Sequence, residues 1–154
     1  MKVRDTKPGD VPALQEVVSA VDLFPSTMLP DMIDGFLSNA QSADLWLTCE
    51  TAQGAPVGFC YAVPEELADG TWNMLAIGVL PSMQGQGAGG LLVAELEGRL
   101  RRLGHRVLIA ETSGTDGFER ARTFYNKNGY VEEARIREFW AKGDDKIVFW
   151  KALG

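Results

Sequence analysis

Val79-Leu80-Pro81-Ser82-Met83-Gln84-Gly85-Gln86-Gly87-Ala88-Gly89-Gly90 joins two segments of opposite periodicity. Before it, Trp72 to Leu80 is continuously apolar except for Asn73, the pattern of a central strand covered on both faces. After it, Leu92, Leu96, Leu100 and Leu103 recur at helical spacing until Gly104 stops the helix. Four glycines fall within six residues at that helix start, where main-chain N–H groups lack intrahelical acceptors and the helix dipole favours negative charge. Without a Cβ, glycine lets the backbone approach a ligand and take positive φ. The stretch therefore predicts a strand, a phosphate-sized anion site and a helix, in that order.

Gly85, Gly87 and Gly90 also satisfy G-x-G-x-x-G, and Glu111 lies about where the ribose-binding acid of a dinucleotide site belongs. In that fold the first glycine follows the strand almost directly, whereas Pro81 to Gln84 intervene here after a hairpin. Context thus disfavours NAD. A P-loop is excluded because Gly90 is followed by Leu91 rather than Lys.

Outward from this unit, Arg106 to Thr112 is a second buried strand, giving β-loop-α-β. Upstream, Val3 opens a short strand, and Asp10 with Pro12 starts a helix whose Val11, Leu14, Val17, Val18 and Val21 share a face. A weaker helix runs from about Asp31 to Asn39, with Ile33, Phe36 and Leu37 inward. Leu45, Leu47 and Cys49, then Val57, Phe59, Tyr61 and Val63, alternate around Gln53-Gly54 as a hairpin. Downstream, Ser113 to Gly117 is a loop and Phe118 to Asn128 a short helix closed by Gly129. Tyr130 to Trp140 and Lys146 to Lys151 are strands joined through Gly143-Asp144-Asp145. The expectation is one α/β (α+β) domain over residues 1–154. Its mixed, mainly antiparallel sheet has about seven strands, helices on both faces, and strands 4 and 5 as the only parallel pair.

With 154 residues, 45% hydrophobic and 23% charged, the chain can bury a core without staples. Its net charge of −6 argues against nucleic acid, which requires a basic face. No export signal or apolar run of membrane-spanning length is present, which points to a cytoplasmic protein with no membrane partner. Cys49 and Cys60 lack zinc spacing and read as reduced, buried apolar residues. His105, the sole histidine, sits among arginines in a turn, so neither a serine-histidine-acid triad nor a metal site is expected. The arginines at 99, 101, 102 and 106 form either a solvated face or a phosphate-steering patch.

Val79 to Gly89 resembles motif A of the GNAT N-acetyltransferase superfamily, [Q/R]-x-x-G-x-[G/A], with Gln84, Gly87 and Gly89 at its fixed positions. Ala121-Arg122-Thr123-Phe124-Tyr125-Asn126-Lys127-Asn128-Gly129-Tyr130 resembles motif B of the same superfamily, in the expected order. The resemblance implies acetyl-CoA as co-substrate and no metal. It implies that the amides of Gln84, Gly85, Gln86, Gly87, Ala88 and Gly89 hold the pyrophosphate while the main chain of Ile77 and Val79 pairs with pantetheine. Such pairing requires strand 4 to part from strand 5, so that its free groups face the ligand as they would face another strand.

Acyl transfer to an amine needs a neutral nucleophile, an oxyanion donor and a proton for the departing thiolate. An alkylamine with a pKa near 10.4 is neutral in only about one molecule in a few thousand at pH 7, so a base or water path is needed. The resemblance puts Tyr125 at the general-acid position; the competing reading is a packed aromatic with a satisfied hydroxyl. Asn73 stands where several members carry a glutamate base and cannot serve as one, which leaves Glu111 acting through water. Phe118 stands where many carry a cofactor-loop Asn.

The acceptor region implied by the family takes in Asp22, Phe24, Asp31, Phe139, Trp140, Asp144 and Asp145. Together these would suit a small cationic amine, although Asp144 and Asp145 are also ordinary turn residues. The predicted activity is N-acetylation of a primary amine, with peptide amines as a second acceptor class, and the chain leaves room for a homodimer. The alternatives are a non-catalytic acyl-CoA-binding or sensing module of the same fold and, third, an NAD-binding oxidoreductase.

Overall fold

Alternating and doubly buried runs become strands β1 (Lys2–Asp5), β2 (Leu45–Glu50), β3 (Pro56–Pro64), β4 (Thr71–Val79), β5 (Val107–Ser113), β6 (Val131–Ala141) and β7 (Asp144–Ala152). The computed structural model describes residues 1–154 and joins these strands in one sheet, ordered β1-β2-β3-β4-β5-β7-β6. Every neighbouring pair is antiparallel except β4 and β5. That parallel pair needs a crossover, and α3 (Ala88–Arg102) supplies it. A sheet of this kind is not the parallel array of a dinucleotide fold, so the nicotinamide reading of the glycines falls.

Two helical layers cover the sheet. Helices α1 (Val11–Val21) and α2 (Leu29–Ser38) bury Leu14, Val17, Val18 and Ile33 against Trp46 and Phe59. On the other face, α3 and α4 (Glu119–Lys127) bury Leu92, Leu96, Leu100 and Tyr125 against Leu108 and Phe149. Cys49 and Cys60 are buried and unpaired.

Several local expectations shift. Asp10 stands at the N-cap of α1 but makes no side-chain cap bond, because its carboxylate accepts from Lys7 N at 2.8 Å and grips Arg4 through both oxygens at 2.7 and 2.9 Å. Arg4 also reaches Glu50 at 2.7 Å, so the arginine knots β1 to β2 and to the turn before α1. Its hydrogen bonds hold the Asp10 carboxyl below the usual carboxylate range. Helix α2 starts two residues early, since Pro30 is tolerated in a first turn. Leu103 is exposed because α3 ends at its C-cap there, leaving no further helical face to bury. The last hairpin turns at Lys142-Gly143, with Gly143 at φ 78°, so Asp144 and Asp145 belong to β7.

Candidate active site

Strands β4 and β5 pair only from Thr71–Met74 to Val107–Ala110 and then part. Beyond that point Glu111, Thr112 and Ser113 pair only with β7, while Ala76 to Val79 pair only with β3. The fork opens at a β-bulge: Tyr61 faces Ala76 and the next residue, Ala62, faces Met74, leaving Leu75 unopposed and half exposed. The extra residue reverses the strand's faces. Trp72 and Met74 point into the α3 layer, whereas Ala76 faces α1 and a Cβ on Gly78 would meet Val17 and Leu23. On the β5 side, the main-chain groups of β4 beyond Met74, including those of Ile77 and Val79, have no strand to pair with.

The glycine loop follows directly. Gln84 Nε2 donates to Val79 O at 3.0 Å and the Gln84 N–H to Pro81 O at 3.3 Å, so this residue shapes the loop. The N–H groups of Gly85, Gln86, Gly87, Ala88, Gly89 and Gly90 donate to no main-chain acceptor, the first helical bond being Leu91 N to Gly87 O at 3.0 Å. Gly85 and Gly87 take φ of 80° and 91°, and a Cβ on either would point into open space. Their requirement is conformational, which leaves bare amides facing a cradle fit for an anion. Gly89 differs: its Cβ would lie 2.8 Å from Phe124 Cε1, so its smallness lets α4 pack on α3.

These parts enclose a cleft of about 720 Å³ between the end of β4, the glycine loop and α4. Tyr125 is 5% exposed, its ring packed on Phe149 (5.1 Å between centroids) and Tyr130 (5.8 Å). It lines the cleft, and its hydroxyl makes no hydrogen bond within the protein. Burial raises its pKa, so the phenol is protonated throughout the neutral range. Tyr130 is locked in turn by donating to Glu97 Oε2 at 2.8 Å, and Glu97 Oε1 accepts from Lys151 at 2.9 Å. Asp22, at φ 54° after α1, and Phe118 also line the cleft.

Glu111 lies elsewhere. Leu108 and Ala110 face the α3 layer, so alternation along β5 turns Glu111 to the opposite face of the sheet. There its Oε1 accepts from Asn73 Nδ2 at 3.3 Å and its Oε2 pairs with Lys146 at 2.6 Å. Asn73 Nδ2 donates also to Glu65 at 3.1 Å. Lys146 stands 4.0 Å from the centroid of Phe139, and Trp140 donates to Thr112 O at 3.2 Å. Glu65 and Lys146, absent from the sequence expectation, thus join Glu111 at the fork; nothing in their local sequence marks them. Asp145 accepts from Arg135 and from Glu138 N, which holds its carboxyl below the usual range, and Asp144 accepts from Ser113 at 2.5 Å. Both act as structural acceptors. Phe24 and Asp31 sit with α1 and α2. The arginines at 99, 101 and 102 lie at the C-terminal end of α3, roughly 20 Å from the glycine loop at 1.5 Å per residue, and pair with acids or carbonyls. They do not form a phosphate-steering patch.

Residues 41–132 match the family model of the acetyltransferase (GNAT) domain. The chain belongs to the GNAT acetyltransferase family. Among solved structures, this GNAT domain is similar to a protein of Desulfovibrio desulfuricans assigned to the same family, at 28% identity over 99% of this chain and 98% of that one, with TM-score 0.89. It shares its fold with an aminoglycoside 6'-N-acetyltransferase solved with coenzyme A (16% identity, 100% and 98% covered, TM-score 0.80). It does so too with the ribosomal-protein-S18-alanine N-acetyltransferase of Escherichia coli (21%, 99% and 94%, 0.77). No curated protein matches the chain in sequence. No helix of this GNAT domain is long and apolar enough to cross a membrane.

Proposed function

We propose that this GNAT domain, acting in the cytoplasm, transfers the acetyl group of acetyl-CoA directly to a primary amine of a small, cationic molecule. The observation that carries the reading is the fork between β4 and β5 beside six unpaired loop amides, with Tyr125, whose hydroxyl has no partner in the protein, lining the same cleft. The amides from Gly85 to Gly89 receive the pyrophosphate, and the β4 backbone at Ile77 and Val79 receives pantetheine as a missing strand. Gln84 acts one step removed, by fixing the loop to Val79.

In the reaction the amine nitrogen bonds to the thioester carbon, giving a tetrahedral intermediate. Its C–S bond then breaks, and Tyr125 donates its hydroxyl proton to the departing sulfur. A buried phenol of raised pKa is a weaker acid than a thiol of pKa about 8.5, so Tyr125 donates a hydrogen bond to the sulfur, yields its proton only as the C–S bond finishes breaking, and takes a proton back from solvent. The proton lost by the amine leaves through water on the Glu111 side of the fork, where Glu65, Glu111 and Asn73 gather polar atoms.

The pairing of Glu111 with Lys146 favours a second reading, an acyl-CoA-binding module that turns over no amine. A thiol-release assay with acetyl-CoA and a panel of an aminoglycoside, an alkyl diamine and a peptide with a free N-terminus separates them. Release that depends on the small cationic amines is expected. Release only with the peptide would transfer the acceptor class to protein amines, and binding of acetyl-CoA without release under any acceptor would leave the binding module.

A further inference from the structure

Asn73 is 5% exposed on β4, one residue before the last pair that β4 makes with β5, so its amide sits at the closed end of the fork. Its Nδ2 donates to two carboxylates, Glu65 at 3.1 Å and Glu111 at 3.3 Å. One nitrogen thereby draws two anions together. Glu111 has its counter-charge in Lys146, and both side chains of that pair are largely buried. Glu65 follows β3 directly and is exposed; its carboxylate bonds to Asn73 and to no cation. Two carboxylates against one ammonium leave the cluster a charge of −1. Asn73 Oδ1 is buried and accepts from no donor, an exception of the kind that marks a functional site or a missing partner.

We propose, on the reading of the fork as an acetyl-transfer site, that Glu65 is the residue that recognises the acceptor, by pairing with the ammonium form of its amine. What the cluster lacks is a cation and a hydrogen-bond donor, and an alkylammonium, with three N–H bonds, is both. Glu111 takes that part only if Lys146 is displaced, whereas Glu65 is open to solvent and its charge is unmatched. Asn73 acts one step removed, by holding the Glu65 carboxylate at the fork. Phe139 and Trp140, both about half exposed, stand beside the cluster: Phe139 lies under Lys146 at 4.0 Å, and Trp140 is tied to Thr112 O at the end of β5. They offer an apolar wall to the carbon chain that carries the ammonium.

Calorimetric titration of 1,4-diaminobutane into the full chain saturated with CoA reads this contact without turnover. Wild type should bind saturably and Glu65→Gln on the order of tenfold more weakly, for loss of a charge-assisted hydrogen bond. Adding Lys146→Met to Glu65→Gln should bring the affinity back to within about threefold of wild type, because Glu111 then becomes the unmatched carboxylate. A merely structural role for Glu65 predicts no such rescue. Glu66→Gln removes the same charge one residue along, from another exposed side chain, and should change affinity by less than about twofold. Melting curves check that each variant folds. No binding to wild type, unchanged affinity in Glu65→Gln, a double variant no better than Glu65→Gln, or an equal loss in Glu66→Gln would each overturn the proposal. Thiol release is measured on the same proteins. Diamine binding that depends on Glu65 with no thiol released from acetyl-CoA would support the ammonium contact and remove the transfer reading, whereas thiol release with the same KM for the diamine in wild type and Glu65→Gln would do the reverse.

Discussion

Tyr125→Phe removes a hydroxyl that bonds to nothing in the protein, so folding stability should change by well under 1 kcal/mol. With chemistry rate-limiting, kcat should fall by about 10²–10⁴ while acetyl-CoA affinity stays within about twofold. Full kcat would make Tyr125 only a core aromatic. Because burial raises this phenol's pKa, its deprotonation lies above pH 10 and contributes no falling limb to the rate profile below about pH 9. A falling limb that vanished in Tyr125→Phe would contradict that. At Gly89 the missing side chain serves packing, while the amide stays free for the ligand. Gly89→Ala should cost about 1–3 kcal/mol through Phe124, and Phe124→Leu in the same chain should recover part of the loss by denaturant titration.

Among the elements, β1 and the turn before α1 depend on one arginine. Asp10→Asn leaves Glu50 as the only carboxylate on Arg4 and should cost about 1–3 kcal/mol at pH 7. Since the folded-state Asp10 pKa is depressed, its stabilisation is present above the unfolded value of about 3.9 and is lost as pH falls through the folded value. The difference between wild type and Asp10→Asn should therefore be constant from pH 5 to 7 and close below pH 4; a gap that widened on acidification would be inconsistent. The sequence makes α3 and its glycine loop legible because helical period and glycine chemistry are local signals. It does not reveal the bulge at Leu75, since a strand buried on both faces has no alternation for an extra residue to interrupt. Nor does it reveal the Glu111–Lys146 pair, whose partners lie on separate strands brought together only by the sheet register. Asp144 and Asp145 look like turn residues, yet Gly143 completes the turn before them.

At the scale of the molecule, the sheet order is legible because one crossover fixes the parallel pair and hairpins fix the rest. The cleft follows from that order: parallel strands that part after four residue pairs leave a backbone edge beside the N-terminus of the helix joining them. Acetyl-CoA binding then depends on that edge and the loop amides together. Gly87→Val strains φ 91° and places a branched side chain before the amides, while the cost of roughly 1–2 kcal/mol leaves a domain of ordinary stability folded. Calorimetric titration of wild type and Gly87→Val with acetyl-CoA is the most direct test. Saturable binding by wild type, weakened tenfold or more in a Gly87→Val protein that still melts cooperatively, is the predicted result. Equal affinity in the two proteins would contradict the account.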